Sequence, residues 1–199
     1  MKITKIERAK KNKEKVNVFV DGEYSFSTYD QLLIKFDIFT GKDVDDNWID
    51  SVEKETQIFD SKRYLYRILS KRRYTENQIR EKLFLRKVDR EIIERLLEEF
   101  KANGLIDDGE YIKDYLDYLK SQRKYSKKEI ESKLFLKFKK VFDSVFLKES
   151  LDDYDERNIL ENLLRREKNF DEKLVQKYYR KGFDFEDVRE IFNKIKKGG

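Results

Sequence analysis

Two different periods of apolar residues divide the chain. Over Lys15-Val16-Asn17-Val18-Phe19-Val20 apolar and polar positions alternate, and Asp21-Gly22 interrupts the run before Glu23-Tyr24-Ser25-Phe26. Asp-Gly between two such runs is a strong short-range hairpin signal, because a tight two-residue turn needs positive φ at both positions. Ile3 to Glu7 supplies a candidate third strand, joined through the basic stretch Lys10-Lys11-Asn12-Lys13, and Gln31 to Phe36 reads as a short helix. From about Phe59 onward the apolar residues fall at helical spacing, as in Tyr64, Leu65, Ile68 and Leu69, or Ile92, Ile93, Leu96, Leu97 and Phe100.

A single local pattern recurs through the helical region. Tyr74-Thr75, Tyr125-Ser126 and Phe170-Asp171 each place an aromatic before a capping residue, and Ile79, Ile130 and Val175 follow five positions after the aromatic. That is a hydrophobic staple: the cap oxygen takes a free N–H of the first turn while the aromatic packs on the aliphatic residue, fixing the angle of entry. Gln78 and Glu129 add a capping box to the first two. The same rule places other helix starts at Phe59-Asp60 with Tyr64, Val88-Asp89 with Ile93, Ile106-Asp107 with Tyr111, Tyr154-Asp155 with Ile159, and Phe183-Asp184 with Val188.

These starts predict a mainly α fold: an elongated, curved array of three three-helix repeats, preceded by a small N-terminal β-hairpin-containing cap. The expected divisions are 1–58 for the cap and a linking helix, then 59–105, 106–152 and 153–199 for the repeats. Asn103-Gly104 closes the first repeat. The middle repeat is irregular. Its first helix is expected to run 18 positions from Asp107 to Tyr125, against 14 from Asp60 to Tyr74, and its third, from Phe138 to Asp143, starts weakly. Trp48 is expected to pack in a core on the linking helix.

Composition narrows the chemistry. With 44% charged residues the chain has little material for a thick core, and its net charge of +5 is only a modest pull toward polyanions. It has no His and no Cys, which removes thiolate nucleophiles, imidazole bases and the common metal-ligand sets. No enzyme activity, metal, cofactor or small-molecule substrate is expected. Acidic pairs such as Asp107-Asp108 with Glu110, or Asp152-Asp153 with Asp155, suit helix N-termini. The seven glycines form no phosphate loop. No apolar stretch approaches a membrane span and the N-terminus has no signal-peptide core, so a cytoplasmic protein with no membrane role is expected.

What remains is a binding protein. Basic clusters precede each staple: Lys71-Arg72-Arg73, Arg123-Lys124, and Arg165-Arg166 with Lys168. Cations there complement a helix dipole, and they also suit phosphates or an acidic protein surface, with Tyr74, Tyr125 and Phe170 beside them. Arg80, Arg86 and Lys87 in the first repeat, and Lys127 and Lys128 in the second, complete the candidate contact set. Only residues 60–105 carry a distinct basic excess, 13 Lys and Arg against 8 Asp and Glu.

Several segments together resemble the RecX family, bacterial regulators of the RecA recombinase. They are Val18-Phe19-Val20-Asp21-Gly22-Glu23-Tyr24, the stretch from Tyr64 through Leu69 to Arg72-Arg73-Tyr74-Thr75 and Leu83, the junction Asn103-Gly104-Leu105-Ile106-Asp107-Asp108 with Tyr111 and Tyr115, and Arg180-Lys181-Gly182-Phe183-Asp184 with Val188. Two departures stand out. Arg123-Lys124-Tyr125 lacks a glycine usual in the second repeat, and Val88 stands where the first repeat often has one. The resemblance implies a monomer that binds the RecA filament on DNA in its helical groove. Inhibition of ATP hydrolysis, strand exchange and filament growth follows, within DNA repair and the SOS response. DNA itself is a weaker expected partner. The rival readings are an autonomous single- or double-stranded nucleic-acid-binding repeat protein and an adaptor for some unrelated protein helix.

Overall fold

The protein is mainly helical, with one three-stranded antiparallel sheet at its N-terminus. The computed structural model describes residues 1–10, 12–139, 142 and 144–198. It forms two compact units, Met1–Asp107 and Asp108–Gly199. No helix among the described residues is long and apolar enough to cross a membrane.

In the first unit β1 (Ile3–Arg8), β2 (Lys15–Val20) and β3 (Glu23–Tyr29) pair in that order. Asp21 and Gly22 both have positive φ, 50° and 90°, which is the twist that a tight antiparallel hairpin demands. Alternation along β2 buries Val16, Val18 and Val20 on one face. That face meets Ile3, Phe26, Ile38, Val44 and Val52, with Trp48 packed at its margin edge-to-face on Phe26 and Phe36. Of the basic stretch between β1 and β2, Lys11 lies outside the described residues.

A short helix, α1 (Asp30–Lys35), leads to α2 (Asp46–Leu69), whose 24 residues start at the cap Asp45. The helix start expected at Phe59-Asp60 is therefore absent, and the division expected between 58 and 59 falls inside a continuous helix. The physical reason is plain: no Gly or Pro interrupts residues 46–69, and Asp60 turns sideways to the sheet instead of capping. Its carboxylate accepts from the Tyr29 hydroxyl and from Lys15 Nζ at 2.5 Å. Burial and the neighbouring Asp60 push the Tyr29 phenol up to about 12. One rod thus serves two cores, the sheet through Val52 and a helical bundle through Ile58 and Leu65.

That first bundle is completed by α3 (Glu76–Leu85) and α4 (Arg90–Ala102). The capping box closes fully at Thr75: Gln78 N donates to Thr75 Oγ1 at 3.2 Å and Thr75 N donates to Gln78 Oε1 at 3.3 Å. Ile79 beyond it is completely buried, with Tyr74 half-buried against the same cluster.

The second unit contains α5 (Asp108–Ser121), α6 (Lys127–Phe138), α7 (Ser144–Ser150), α8 (Glu156–Leu164), α9 (Glu172–Arg180) and α10 (Phe185–Gly198). One core gathers Ile112, Leu116, Leu119, Ile130, Leu134 and Phe138, and another gathers Leu160, Leu164, Val175, Phe183, Val188 and Phe192. Ser126 and Asp171 cap α6 and α9, accepting from Glu129 N at 3.0 Å and Leu174 N at 3.1 Å. Two expectations for the middle bundle need correction. Its first helix stops at Ser121 after 14 residues, short of the expected end at Tyr125, and the chain turns through Arg123 at φ 46°. The expected excess of about one turn over the segment from Asp60 holds, because α2 likewise stops early, at Leu69. Its third helix starts at Ser144, not near Phe138, because Phe138 is a buried end of α6 and Lys139 leaves the helix in the left-handed region at φ 54°. Lys140, Val141 and Asp143 of that expected helix lie outside the described residues.

Helix ends explain the missing glycines. After α9, Gly182 N donates to Tyr179 O at 2.8 Å and Phe183 N to Tyr178 O at 3.3 Å, closing the turn through a left-handed residue at φ 91°. After α3 the same pair of bonds runs from Lys87 N and Val88 N, and Lys87 takes φ 59°. The residue matching Gly182 is thus Lys87, one place before Val88. At Gly182 a second constraint applies. A Cβ there would lie 2.7 Å from Ser126 Oγ and 2.9 Å from Lys128 Cβ, while Ser126 Oγ donates to Lys181 O at 2.6 Å. Gly104 shares the left-handed backbone, φ 68°, but faces open space. Gly182→Ala should therefore destabilise the protein by about 2–3 kcal/mol and Gly104→Ala by about 1 kcal/mol, an order that thermal melts of the two variants check directly.

Candidate functional site

The candidate cations divide by what already holds them. In the turn between α2 and α3, Lys71, Arg72 and Arg73 stand beside Tyr74, and the Arg72 guanidinium lies 4.4 Å from its ring centre. Lys82 approaches the same ring at 5.2 Å. A hydrogen bond from Arg72, with the charges of Arg72, Lys82 and Lys71, holds the Tyr74 phenol below its ordinary value. Arg86 covers Tyr64 in the same way at 4.3 Å, and Arg67 lies 5.5 Å from that ring. The first bundle therefore presents cations seated on aromatic rings, which fixes long side chains that would otherwise be mobile. Lys87 follows, exposed at its left-handed position.

Arg80 belongs to a different arrangement. Its Nε and Nη2 donate to the two carboxylate oxygens of Glu94, both at 3.0 Å, and Nη2 also reaches Glu76 at 2.7 Å. Glu76 in turn accepts from Lys101 at 2.8 Å. Arg80 ties α3 to α4 and its fork is occupied within the bundle. Hydrogen bonds from Lys101 and Arg80 hold the Glu76 carboxyl below the ordinary glutamate range. Arg80 lowers Glu94 likewise.

In the second unit Lys124 and Arg166 come together with Lys181 around a cavity of about 320 Å³, lined also by Tyr125, Glu129, Glu167 and Tyr178. Both acids there are engaged. Glu129 lies 3.5 Å from Lys133, and Glu167 accepts from Lys177 at 2.6 Å and from the Tyr178 hydroxyl at 2.8 Å. Lys124 and Lys133 flank Tyr125, which also offers its carbonyl to the Tyr154 hydroxyl. Arg165 does not join this group; it pairs with Glu161 on its own helix at 2.5 Å. Lys127 contributes its backbone N–H to Glu156, and Lys128 packs against Gly182. Arg123 is set by its left-handed backbone, and Lys168 is exposed in the loop after α8. The staple Phe170 stacks obliquely on Phe192, while Val175 is buried beneath.

A larger cavity, about 870 Å³, is a polar trough between sheet and α2 where Lys15, Lys54 and Arg86 oppose Asp50, Glu53, Asp60 and Asp89. Its mixed charge selects no ligand sign. Among the described residues no group of three acids could hold a metal ion. Sequence periodicity missed one surface feature altogether: Phe84, Leu85, Phe135, Leu136 and Tyr179 are exposed. Apolar spacing reads such residues as core, and only the recurrence of their local order marks them.

Comparison with known proteins then places the chain. A family model, the regulatory protein RecX N-terminal domain, matches residues 1–45. The regulatory protein RecX of Clostridium acetobutylicum is 32% identical over 156 residues, covering 78% of this chain and 71% of that protein. The chain belongs to the RecX family. Regulatory protein RecX of Clostridium beijerinckii is 29% identical over 208 aligned positions, covering 98% of this chain and 95% of its own. A crystal structure of regulatory protein RecX shares the fold, with TM-score 0.60 at 23% identity, covering 96% of this chain and 98% of that one. In this RecX chain the Glu76–Arg80–Glu94 clamp has a pH signature. A carboxylate whose pKa is depressed by folding contributes stability that is present above its ordinary value of 4.5 and is lost as the pH falls through the folded value. Melts from about pH 7 down to about pH 3 should show a falling melting temperature in the acid range, and Glu76→Gln should flatten that fall while lowering stability at neutral pH.

Proposed function

We propose that this chain restrains the RecA recombinase by binding the RecA filament on DNA, and that it inhibits ATP hydrolysis, strand exchange and filament growth by occupancy. Membership of a family of regulatory proteins carries the reading, since the kinship extends over nearly the whole chain and not only the N-terminal sheet. The first bundle supplies the second line of support. Its basic excess is mounted on aromatic rings at Arg72 and Arg86, which suits a sustained contact with an acidic protein surface or with phosphates. The cations Lys124 and Arg166, gathered at one cavity, give the second unit a smaller contact of the same kind. The protein acts as a monomer in the cytoplasm and turns over no substrate.

The rival reading, a nucleic-acid binder that needs no recombinase, draws on the same cation and ring pairs, because the open face of a half-buried ring beside an arginine also stacks on bases. Salt dependence separates the two. Tight binding to naked single-stranded DNA that falls steeply with salt favours the rival, whereas weak naked-DNA binding with strong filament binding favours the regulator.

The direct test is RecA ATPase activity on single-stranded DNA with increasing amounts of this protein. The wild type should suppress hydrolysis, and the triple reversal Lys71→Glu, Arg72→Glu and Arg73→Glu should raise the half-inhibitory concentration by about 10-fold or more. An ATPase that ignores the wild-type protein at all concentrations refutes the function.

A further inference from the structure

The second helix of each bundle repeats one tripeptide order: Lys82-Leu83-Phe84 in α3, Lys133-Leu134-Phe135 in α6 and Lys177-Tyr178-Tyr179 in α9. The middle residue is buried every time. A buried anchor fixes the rotation of its helix, and the next residue, about 100° further round, then faces away from the local core. Phe84 is 72% exposed, Phe135 46% and Tyr179 51%. In α3 and α6 a leucine follows, Leu85 at 79% and Leu136 at 62% exposure. A single exposed apolar residue needs no explanation. An exposed aromatic at the matching place in three bundles does: Tyr179 touches Phe185 of α10 edge-to-face, yet each of the three rings leaves about half or more of its surface outside its own core.

The neighbourhood indicates what covers these residues. Exposed cations follow each aromatic: Arg86 and Lys87 after α3, Lys139 after α6, Arg180 and Lys181 at the end of α9. An apolar residue followed by exposed cations complements an apolar pocket rimmed by carboxylates. Leu85 and Leu136 favour protein over nucleic acid, since an aliphatic side chain does not stack on bases as a ring does. Three equivalent points along one chain also call for a partner that repeats, because only then does each bundle find the same surface.

We propose that Phe84, Phe135 and Tyr179 are equivalent docking points for an acidic protein surface that recurs along a polymer of identical subunits. The proposal rests on the filament reading above and names the residues that make the contact. It is tested with Phe84→Ser, Phe135→Ser and Tyr179→Ser, singly and together. Each variant is first compared with the wild type by thermal melting, then titrated against preformed RecA filaments on single-stranded DNA and against the same DNA without RecA. Phe84→Ser and Phe135→Ser should leave the melts unchanged, and Tyr179→Ser, which gives up the edge contact with Phe185, should lower the melting temperature slightly without unfolding the chain. Each single change should weaken filament binding about 10-fold and the triple change about 100-fold or more, with naked-DNA binding unaffected. A triple variant that binds filaments like the wild type overturns the docking points and leaves the filament reading standing. Equal loss of naked-DNA binding also overturns them, since the rings would then be stacking on bases. A wild-type chain that does not bind filaments at all removes the function reading itself.

Discussion

The structure depends on how each second helix is entered. The helices α3 and α9 have 10 and 9 residues, and isolated helices shorter than about 12–15 residues are marginal in water. Propensity cannot hold them, so docking must. At each entry a cap oxygen takes a free N–H, an aromatic lies half-buried on one side of it, and Ile79, Ile130 or Val175 is almost wholly buried on the other. A cap contributes about 1 kcal/mol. Its greater effect is directional, because the entry angle decides which face of the short helix meets its neighbours and which face is left outside.

That division of faces gives identical residue types different work. Arg80 and Arg72 lie in the same bundle, eight positions apart in sequence. Arg80 follows Glu76 by one turn and faces Glu94 on α4, so its guanidinium is clamped by two carboxylates and ties two helices together. Arg72 sits before the cap, where the chain is not yet helical, and lies over Tyr74. The first contributes to stability and the second to the surface. Composition counts both as one positive charge.

The local signals are legible in the sequence: the Asp21-Gly22 hairpin, the caps at Thr75, Ser126, Asp155 and Asp171, and the buried residues that follow the staples are set by a few neighbouring residues. The failures share a cause. Phe59-Asp60 satisfies the same staple pattern as Tyr74-Thr75, but it lies in the middle of α2, and what Asp60 does is decided by Tyr29 and Lys15 far upstream. A pattern of caps cannot distinguish a helix start from an acid that reaches across to a sheet. Phe138 stands where the third helix of the middle repeat is expected to open, although no capping residue follows it, whereas its burial in the core with Leu134 makes it the end of a helix. Arg80 cannot be separated from the other candidate cations without knowing that Glu94 faces it. Phe84 and Phe135 are invisible for the opposite reason, since a hydrophobic residue next to a core leucine adds to the apparent stripe whichever way it points.

The proposed contacts are of two physical kinds, and they act at different distances. Charge on the first bundle is felt over roughly a Debye length, about 8 Å at physiological salt, and so governs approach. An exposed aromatic stabilises only when its ring has left water, and so governs departure. In interfaces built this way, changes to rim charges appear mainly in the association rate and its salt dependence, while changes to buried apolar anchors appear in the dissociation rate. The uneven distribution of charge, concentrated in residues 60–105, and the even distribution of exposed aromatics, one in each second helix, therefore need not describe the same event. A chain that is captured by one bundle and retained by all three requires only one of them to be strongly basic.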